Sequence, residues 1–201
     1  MNPSVVVFDI GAVLVDWQPH LAWMDELGSV EAVTEFMQRI DFKSRNMRGD
    51  NGERFADLAA ELPDPEDQRR LAAYVSLYTK TVMNPVLGTW EILDRLKADG
   101  VPVHAITNWS AETWPEGLKA QPRLGEVFGV TVVSGQEGVV KPNARIFELL
   151  CERASVAPED CVFIDDGLHN IEGARAVGMD GIHFTGADAL EADLKTRGML
   201  S

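Results

Sequence analysis

The stretch SVVVFDIGAVLVDW, residues 4–17, places one carboxylate, Asp9, at the end of a short apolar run. Four further apolar runs of similar length occur at residues 101–107, 130–134, 161–165 and 181–184. All five are continuous rather than alternating, which is typical of parallel strands covered on both faces. The opening stretch therefore predicts the first strand of a parallel sheet, with a polar group at its carboxyl end.

Helical patterns separate the later strands, as in residues 84–100 and 143–155. Strands that alternate with helices predict an α/β fold with a doubly wound parallel sheet. Residues 17–84 break the alternation, because they contain amphipathic helix patterns and no convincing strand. We therefore predict two domains. Residues 1–16 and 85–201 form the α/β core, and residues 17–84 form an inserted, all-helical cap.

Composition narrows the range of partners. The chain has 201 residues, 45% of them hydrophobic, and a formal net charge of −14, which disfavours nucleic acid and anionic membranes. It shows no signal-peptide pattern and no apolar stretch near the roughly 20 residues needed to span a bilayer. Cys151 and Cys161 lack the spacing of a metal site and are typical of buried, reduced thiols. We expect a cytoplasmic protein, either a monomer or a homodimer.

Polar side chains follow three of the predicted strands, and one lysine precedes a predicted helix. These residues are Asp9, Thr107, Asn108, Lys141, Asp165 and Asp166. Ligands of open α/β sheets bind at the carboxyl ends of the strands, and adjacent strands lie only about 4.8 Å apart. Adjacent carboxylates repel each other unless a cation or a donor lies nearby. The set therefore predicts one functional crevice rather than separate turn residues.

Four segments carry a resemblance to the haloacid dehalogenase superfamily of hydrolases, which extends over essentially the whole chain. In chain order they are VVFDIGAVLVD, AITN, GVVKPNARIF and FIDDGLHNIEGARAVGM. The helical insertion lies where this family carries a helical cap. The segments DIGAVLVD, SGQEGVVKPNARIF and, in the cap, RNMRGDNGERFADLAAEL look closest to the branch that includes glucose 1-phosphate phosphatases.

The resemblance implies a phosphatase that acts on a small phosphorylated metabolite, with a sugar phosphate favoured. Asp9 would be the nucleophile and would form an aspartyl-phosphate. The Thr107 hydroxyl and the Asn108 N–H would bind phosphate oxygens, and Lys141 would neutralise their charge. The position of Arg48 in the cap leaves two roles open, a surface residue or a specificity residue that holds a second anionic group. Trp109 follows Asn108, and we expect it to line the entrance.

The resemblance also implies Mg²⁺ as the cofactor, because a carboxylate can approach a phosphate more readily with a cation between them. Asp9, Asp166 and the backbone carbonyl of Gly11 would bind the ion directly. Asp165 would act through water or through the other ligands, and Asn170 would orient them by hydrogen bonding.

Gly11 departs from the family pattern, since most phosphatases of the superfamily carry a second aspartate there as the general acid–base. Such catalysis typically contributes about 10²–10⁴-fold. Asp16 is too far along the chain to replace it, which leaves His20, a cap residue or the substrate as the proton source. Two other functions remain open. One is a 2-haloacid dehalogenase, which needs no such proton, and the other is a phosphate-binding or regulatory protein without turnover.

Overall fold

The computed structural model describes residues 3–200, and its centre is a parallel sheet. The strands of the described residues are β1 (Val5–Phe8), β2 (Val15–Asp16), β3 (Asn84–Pro85), β4 (Val103–Thr107), β5 (Thr131–Val133), β6 (Cys161–Asp165) and β7 (Asp180–His183). Five of them pair in parallel in the order β5-β4-β1-β6-β7. The five strands predicted from the apolar runs are confirmed, with shifts of at most two residues at their ends.

Helices cover both faces of this sheet. The α-helices of the described residues are α1 (Met24–Leu27), α2 (Val30–Arg39), α3 (Phe42–Asp50), α4 (Phe55–Ala60), α5 (Pro65–Ala72), α6 (Tyr74–Leu77), α7 (Leu87–Ala98), α8 (Trp114–Ala120), α9 (Ser134–Glu137), α10 (Ala144–Ala154), α11 (Leu168–Ala176) and α12 (Ala187–Thr196). Short 3₁₀ turns lie at Pro19–Ala22, Tyr78–Val82, Pro122–Gly125 and Pro158–Asp160. Within residues 3–200, no helix combines the length and apolar character that a membrane crossing requires.

The central strand β1 shows why the apolar runs are continuous. Val6 and Phe8 pack in one hydrophobic cluster with side chains of α7 and α12, whereas Val5 and Val7 pack in another with α10 and α11. Since both faces are buried, every position of the strand must be apolar. The doubly wound α/β prediction is confirmed.

The order in which strands are added to the sheet reverses at β1. Strands β4 and β5 lie on one side of it, and β6 and β7 lie on the other. Phe8 is paired with Ala105 of β4 and with Ile164 of β6. Continuing this register places Asp9 level with Asp165. A crevice at such a switch point is where open α/β sheets bind ligands.

The predicted cap consists of helices joined by short turns, from the 3₁₀ turn at Pro19–Ala22 to the one at Tyr78–Val82. The short strands β2 and β3 pair antiparallel at the points where the chain leaves the sheet and returns to it. The cap boundaries at residues 17 and 84 therefore coincide with this ribbon. The division into two domains stays a prediction, since one hydrophobic cluster contains side chains from both parts.

Aromatic rings form the centre of the helical part. The ring of Trp23 lies 5.0 Å from Phe36, 5.3 Å from Phe42 and 5.2 Å from Tyr74, measured between centroids. All four side chains are buried, and aromatic pairs at such distances stabilise by about 0.5–1.5 kcal/mol beyond their burial. This cluster forms the interior of the helical part.

Candidate active site at the carboxyl edge of the sheet

Asp9 lies directly beyond β1, at the switch point. Its backbone N–H donates to the carbonyl of Ile164, 2.8 Å away, which extends the sheet by one residue. Its Oδ1 accepts a hydrogen bond of 2.7 Å from the Ile10 N–H. The residue is 7% exposed, so it is buried without being sealed from the crevice.

Lys141 supplies the positive charge of the site. Its side chain is 1% exposed, and Nζ lies 2.8 Å from Asp9 Oδ1 and 2.6 Å from Asp165 Oδ2. A third contact of 3.3 Å goes to the carbonyl of Ile106. Burial, the largest single effect, lowers the pKa of Lys141, but the attraction of the two carboxylates outweighs it and raises the pKa. The ammonium is therefore charged at neutral pH.

The loop that carries Lys141 is held by the side chain of Asn108. Asn108 Oδ1 accepts a 2.8 Å hydrogen bond from the Lys141 N–H, and its Nδ2 donates to the Lys141 carbonyl at 3.2 Å. From the sequence, only the backbone N–H of Asn108 is expected to contact the phosphate. No local pattern signals this side-chain pairing, because the partners are 33 residues apart.

Asp165 is fully buried and saturated with donors. Its Oδ2 contacts Lys141, while its Oδ1 accepts from the Gly167 N–H at 2.7 Å and from Asn170 Nδ2 at 2.9 Å. These contacts fit the expected indirect role of Asp165 and the orienting role of Asn170. A carboxylate with both oxygens engaged positions its neighbours rather than reacting itself.

The acidic residues at this edge fit a divalent cation. Asp9, Asp165 and Asp166 each offer an oxygen within 4.8 Å of the others. Asn170 Oδ1, bonded through its amide group to Asp165, is a buried acceptor without a protein partner among the described residues. Carboxylate and amide oxygens are the hard ligands that Mg²⁺ prefers. The carbonyl of Gly11 stays a predicted ligand.

Burial raises the pKa of the Asp9 carboxyl to about 7, and the Asp165 carboxylate adds to the rise while Lys141 opposes it. A carboxylate that is costly to ionise in this environment gains from a second cation nearby. A cation bound beside Asp9 would therefore favour its ionised form.

Thr107 is the last residue of β4 and is buried. Because Ala105 is paired with Phe8, Thr107 lies beside the turn that follows Asp9. The structure thus brings Thr107 to the same edge as Asp9, as expected for a residue that binds phosphate.

Two predicted substrate contacts are not brought to this cluster. The Arg48 guanidinium, 38% exposed, pairs with Glu53 and Glu61 at 2.6 Å each. Trp109 is 4% exposed, and its ring packs 5.4 Å from Tyr78 and 5.2 Å from Trp114. Trp109 therefore joins the core to the aromatic interior of the cap, and Arg48 ties two parts of the cap together.

A chamber of about 360 Å³ lies between the cap and the core. We call it the cap–core chamber. Its walls are mostly apolar, from Trp17, Phe42 and Met47 among others, and its polar side chains include Asn108 and Asp50. Asp50 is the last residue of α3, and no motif or apolar run in the sequence marks it as functional.

Two curated phosphatases are similar over most of their length. The sesquiterpene phosphatase astK of Aspergillus oryzae is 25% identical over 194 residues, which cover 96% of this chain and 95% of that protein. A glyceraldehyde 3-phosphate phosphatase of Pyrococcus furiosus is 29% identical over 206 residues, with 96% and 85% covered.

A solved structure shows the same fold. The magnesium complex of a haloacid dehalogenase family enzyme from Bacteroides thetaiotaomicron superposes with a TM-score of 0.69 at 18% identity, covering 92% of this chain and 95% of that one. The haloacid dehalogenase-like hydrolase family profile matches residues 3–178. The site geometry, the fold and this match agree, and the chain belongs to the haloacid dehalogenase-like hydrolases.

Proposed function

We propose that this chain is a magnesium-dependent phosphatase that hydrolyses a small phosphorylated metabolite through an aspartyl-phosphate on Asp9. The family and the phosphatase relatives make it a phosphoric monoester hydrolase. The metal and the covalent intermediate go beyond this enzyme class and are proposed here. The observation that carries them is the buried Lys141 ammonium between Asp9 and Asp165, beside the exposed carboxylate of Asp166.

In this mechanism Asp9 attacks phosphorus with the oxygen that bonds neither Ile10 nor Lys141. Lys141 stabilises the negative charge that spreads over the phosphoryl oxygens, and Thr107 donates to one of them. Asp165 and Asn108 hold Lys141 in place from opposite ends, through its side chain and its backbone. Mg²⁺, when bound by Asp9 and Asp166, would neutralise the charge of the nucleophile and of the phosphate.

The paired acids favour this function over dehalogenation. Displacement of halide from carbon needs no metal, whereas Asp165 and Asp166 gather carboxylates beside Asp9, an arrangement that suits a cation. The curated relatives that cover most of this chain are phosphatases, which supports the same assignment.

The substrate beyond its phosphate is less narrowly defined. The resemblance favours a sugar phosphate, and that stays a prediction. The cap–core chamber supports a small leaving group with at least one apolar face, because Trp17, Phe42 and Met47 line it.

The first experiment measures hydrolysis of p-nitrophenyl phosphate with Mg²⁺ and with EDTA. We expect turnover only with Mg²⁺, and none in Asp9→Asn. Asp16→Asn is the matched control, because Asp16 is exposed on the β2–β3 ribbon and should keep normal activity. Intact-mass measurement after acid quenching should show one added phosphoryl group on the wild type and none on Asp9→Asn.

Other outcomes would overturn parts of the proposal. Turnover that is insensitive to EDTA would exclude the metal requirement. Chloride release from 2-chloropropionate without added metal would establish the dehalogenase instead. Vanadate binding without hydrolysis of any phosphate ester in a metabolite panel would establish a binding protein that lacks turnover.

A further inference from the structure

The missing carboxylate at Gly11 leaves the proposed reaction without its usual proton donor. Two acidic or basic side chains that follow Gly11 in the sequence, Asp16 and His20, lie outside the cap–core chamber. Asp16 is exposed and accepts a hydrogen bond from Gln18. His20 lines a neighbouring groove that shares walls with the cap–core chamber, but it does not line the chamber itself.

Asp50 is the acidic side chain of the cap–core chamber, and its backbone is anchored to the core. Its carbonyl accepts a 2.6 Å hydrogen bond from the Ser134 hydroxyl, which follows β5. The same hydroxyl oxygen accepts from the Trp109 N–H at 2.9 Å. Asp50 is therefore joined, through one serine, to the loop that begins with Thr107 and Asn108.

The side chain of Asp50 points to the same region. Its Oδ2 accepts a 2.9 Å hydrogen bond from Asn46 Nδ2, one helical turn earlier in α3. Burial raises the pKa of Asp50 to about 7, while the Ser110 N–H and the Lys141 ammonium oppose the rise. The influence of Lys141 places this carboxyl within electrostatic reach of the phosphate site, and its pKa allows both protonation states near neutral pH.

We propose that Asp50 of the cap is the general acid and base that the core lacks at Gly11. This inference rests on the proposed phosphatase function. When Asp9 forms its bond to phosphorus, the bond from phosphorus to the ester oxygen breaks, and that oxygen takes the proton of the Asp50 carboxyl to leave as an alcohol. The Asp50 carboxylate then accepts a proton from water.

The resulting hydroxide attacks phosphorus, and the bond from phosphorus to Asp9 breaks. The products are the free Asp9 carboxylate, inorganic phosphate and a protonated Asp50, so the cycle consumes one water and restores the enzyme. The carboxyl is carried by the cap and held against the core, and a leaving group in the cap–core chamber lies between them.

Leaving-group dependence tests this role, since only a poor leaving group needs the proton. For Asp50→Asn we expect kcat/KM to fall about 10²–10⁴-fold on an alkyl phosphate. On p-nitrophenyl phosphate, whose leaving group departs readily as an anion, we expect a fall of less than about tenfold. Asp57 is an exposed acid on α4, and Asp57→Asn is the matched control. It should leave kcat/KM unchanged for both substrates.

A second variant guards against a merely structural effect. Adding Gly11→Asp to Asp50→Asn places a carboxyl at the usual position. It should raise kcat/KM on the alkyl phosphate at least about tenfold above that of Asp50→Asn alone. Equal losses on both esters, or no loss, would overturn the assignment, as would an absence of rescue in a double variant with a native circular dichroism spectrum. The proposed function fails separately, through a wild type that hydrolyses neither ester.

Discussion

Replacing Lys141 with methionine removes a buried positive charge from between two carboxylates and keeps a side chain of similar length. The ammonium contacts Asp9 at 2.8 Å and Asp165 at 2.6 Å, with a side chain that is 1% exposed. Asp165 keeps its bonds from Gly167 and Asn170, but Asp9 keeps only that of Ile10. The variant therefore leaves the two carboxyl groups close together and largely dehydrated, without the ammonium that lies between them.

The magnitude follows from this burial. Removing one partner of a buried ion pair costs about 3–5 kcal/mol, because the remaining charge is uncompensated. For a domain of this size, each kcal/mol corresponds to about 2–4 °C in Tm, so Tm should fall by about 6–20 °C. Loss of the charge that faces the phosphoryl group should also reduce kcat by at least about 10²-fold.

The assay is urea unfolding followed by circular dichroism, with Lys119→Met as the control. Lys119 also forms a 2.6 Å ion pair, with Glu116, but its side chain is 65% exposed. Such surface pairs contribute only about 0–1 kcal/mol. A loss for Lys141→Met no larger than that of Lys119→Met would refute the reasoning. Should Lys141→Met fail to fold, adding Asp165→Asn should recover a folded protein, because it removes one of the unpaired charges.

The remaining predictions concern the metal and pH. Asp166→Asn should weaken the rise in Tm that Mg²⁺ produces in the wild type, because one hard ligand is lost; an unchanged rise in thermal unfolding scans would place the ion elsewhere. The pKa of Asp50 is raised in the folded state, so its contribution to stability is present below about pH 4 and is lost as the pH rises towards about 7. The charged and titratable groups that act on Asp50 or share its chamber are Lys141, Tyr74, Tyr78 and Lys43. Asp50→Asn should flatten the fall in unfolding free energy over that range, and urea titrations at several pH values that retain the wild-type slope would contradict this.

The sheet and its reactive edge could be predicted from sequence because their signals are local. The strands buried on both faces are mostly apolar runs, and a polar residue at the carboxyl end interrupts such a run visibly. Asp9, Thr107 and Asp165 are found in this way. Their convergence needs only the parallel order of the strands, which the alternation with helices supplies.

The contacts between cap and core could not be predicted, because they depend on how two helical layers dock. Trp109 follows the phosphate-binding loop, so a place at the entrance was reasonable, yet its ring is buried against Tyr78 and Trp114. Arg48 and Asp50 differ by two positions in α3 and lie in opposite environments. Arg48 pairs with surface glutamates, whereas Asp50 meets the core. A helical pattern shows on which face of the helix a residue lies, but it does not show what packs against that face.

The fold does not require a glycine at position 11, so the absence of an aspartate there concerns the chemistry. A Cβ added at Gly11 would have no heavy atom within 4 Å, and its φ lies outside the left-handed region. Neither space nor backbone conformation therefore requires glycine there, and an aspartate could be accommodated. If Asp50 supplies the proton, a second acid beside Asp9 would add only another negative charge to a carboxyl that burial already makes hard to ionise. The gain from Gly11→Asp should then be large when Asp50 is absent and small when it is present, a dependence that two independent proton sources would not show.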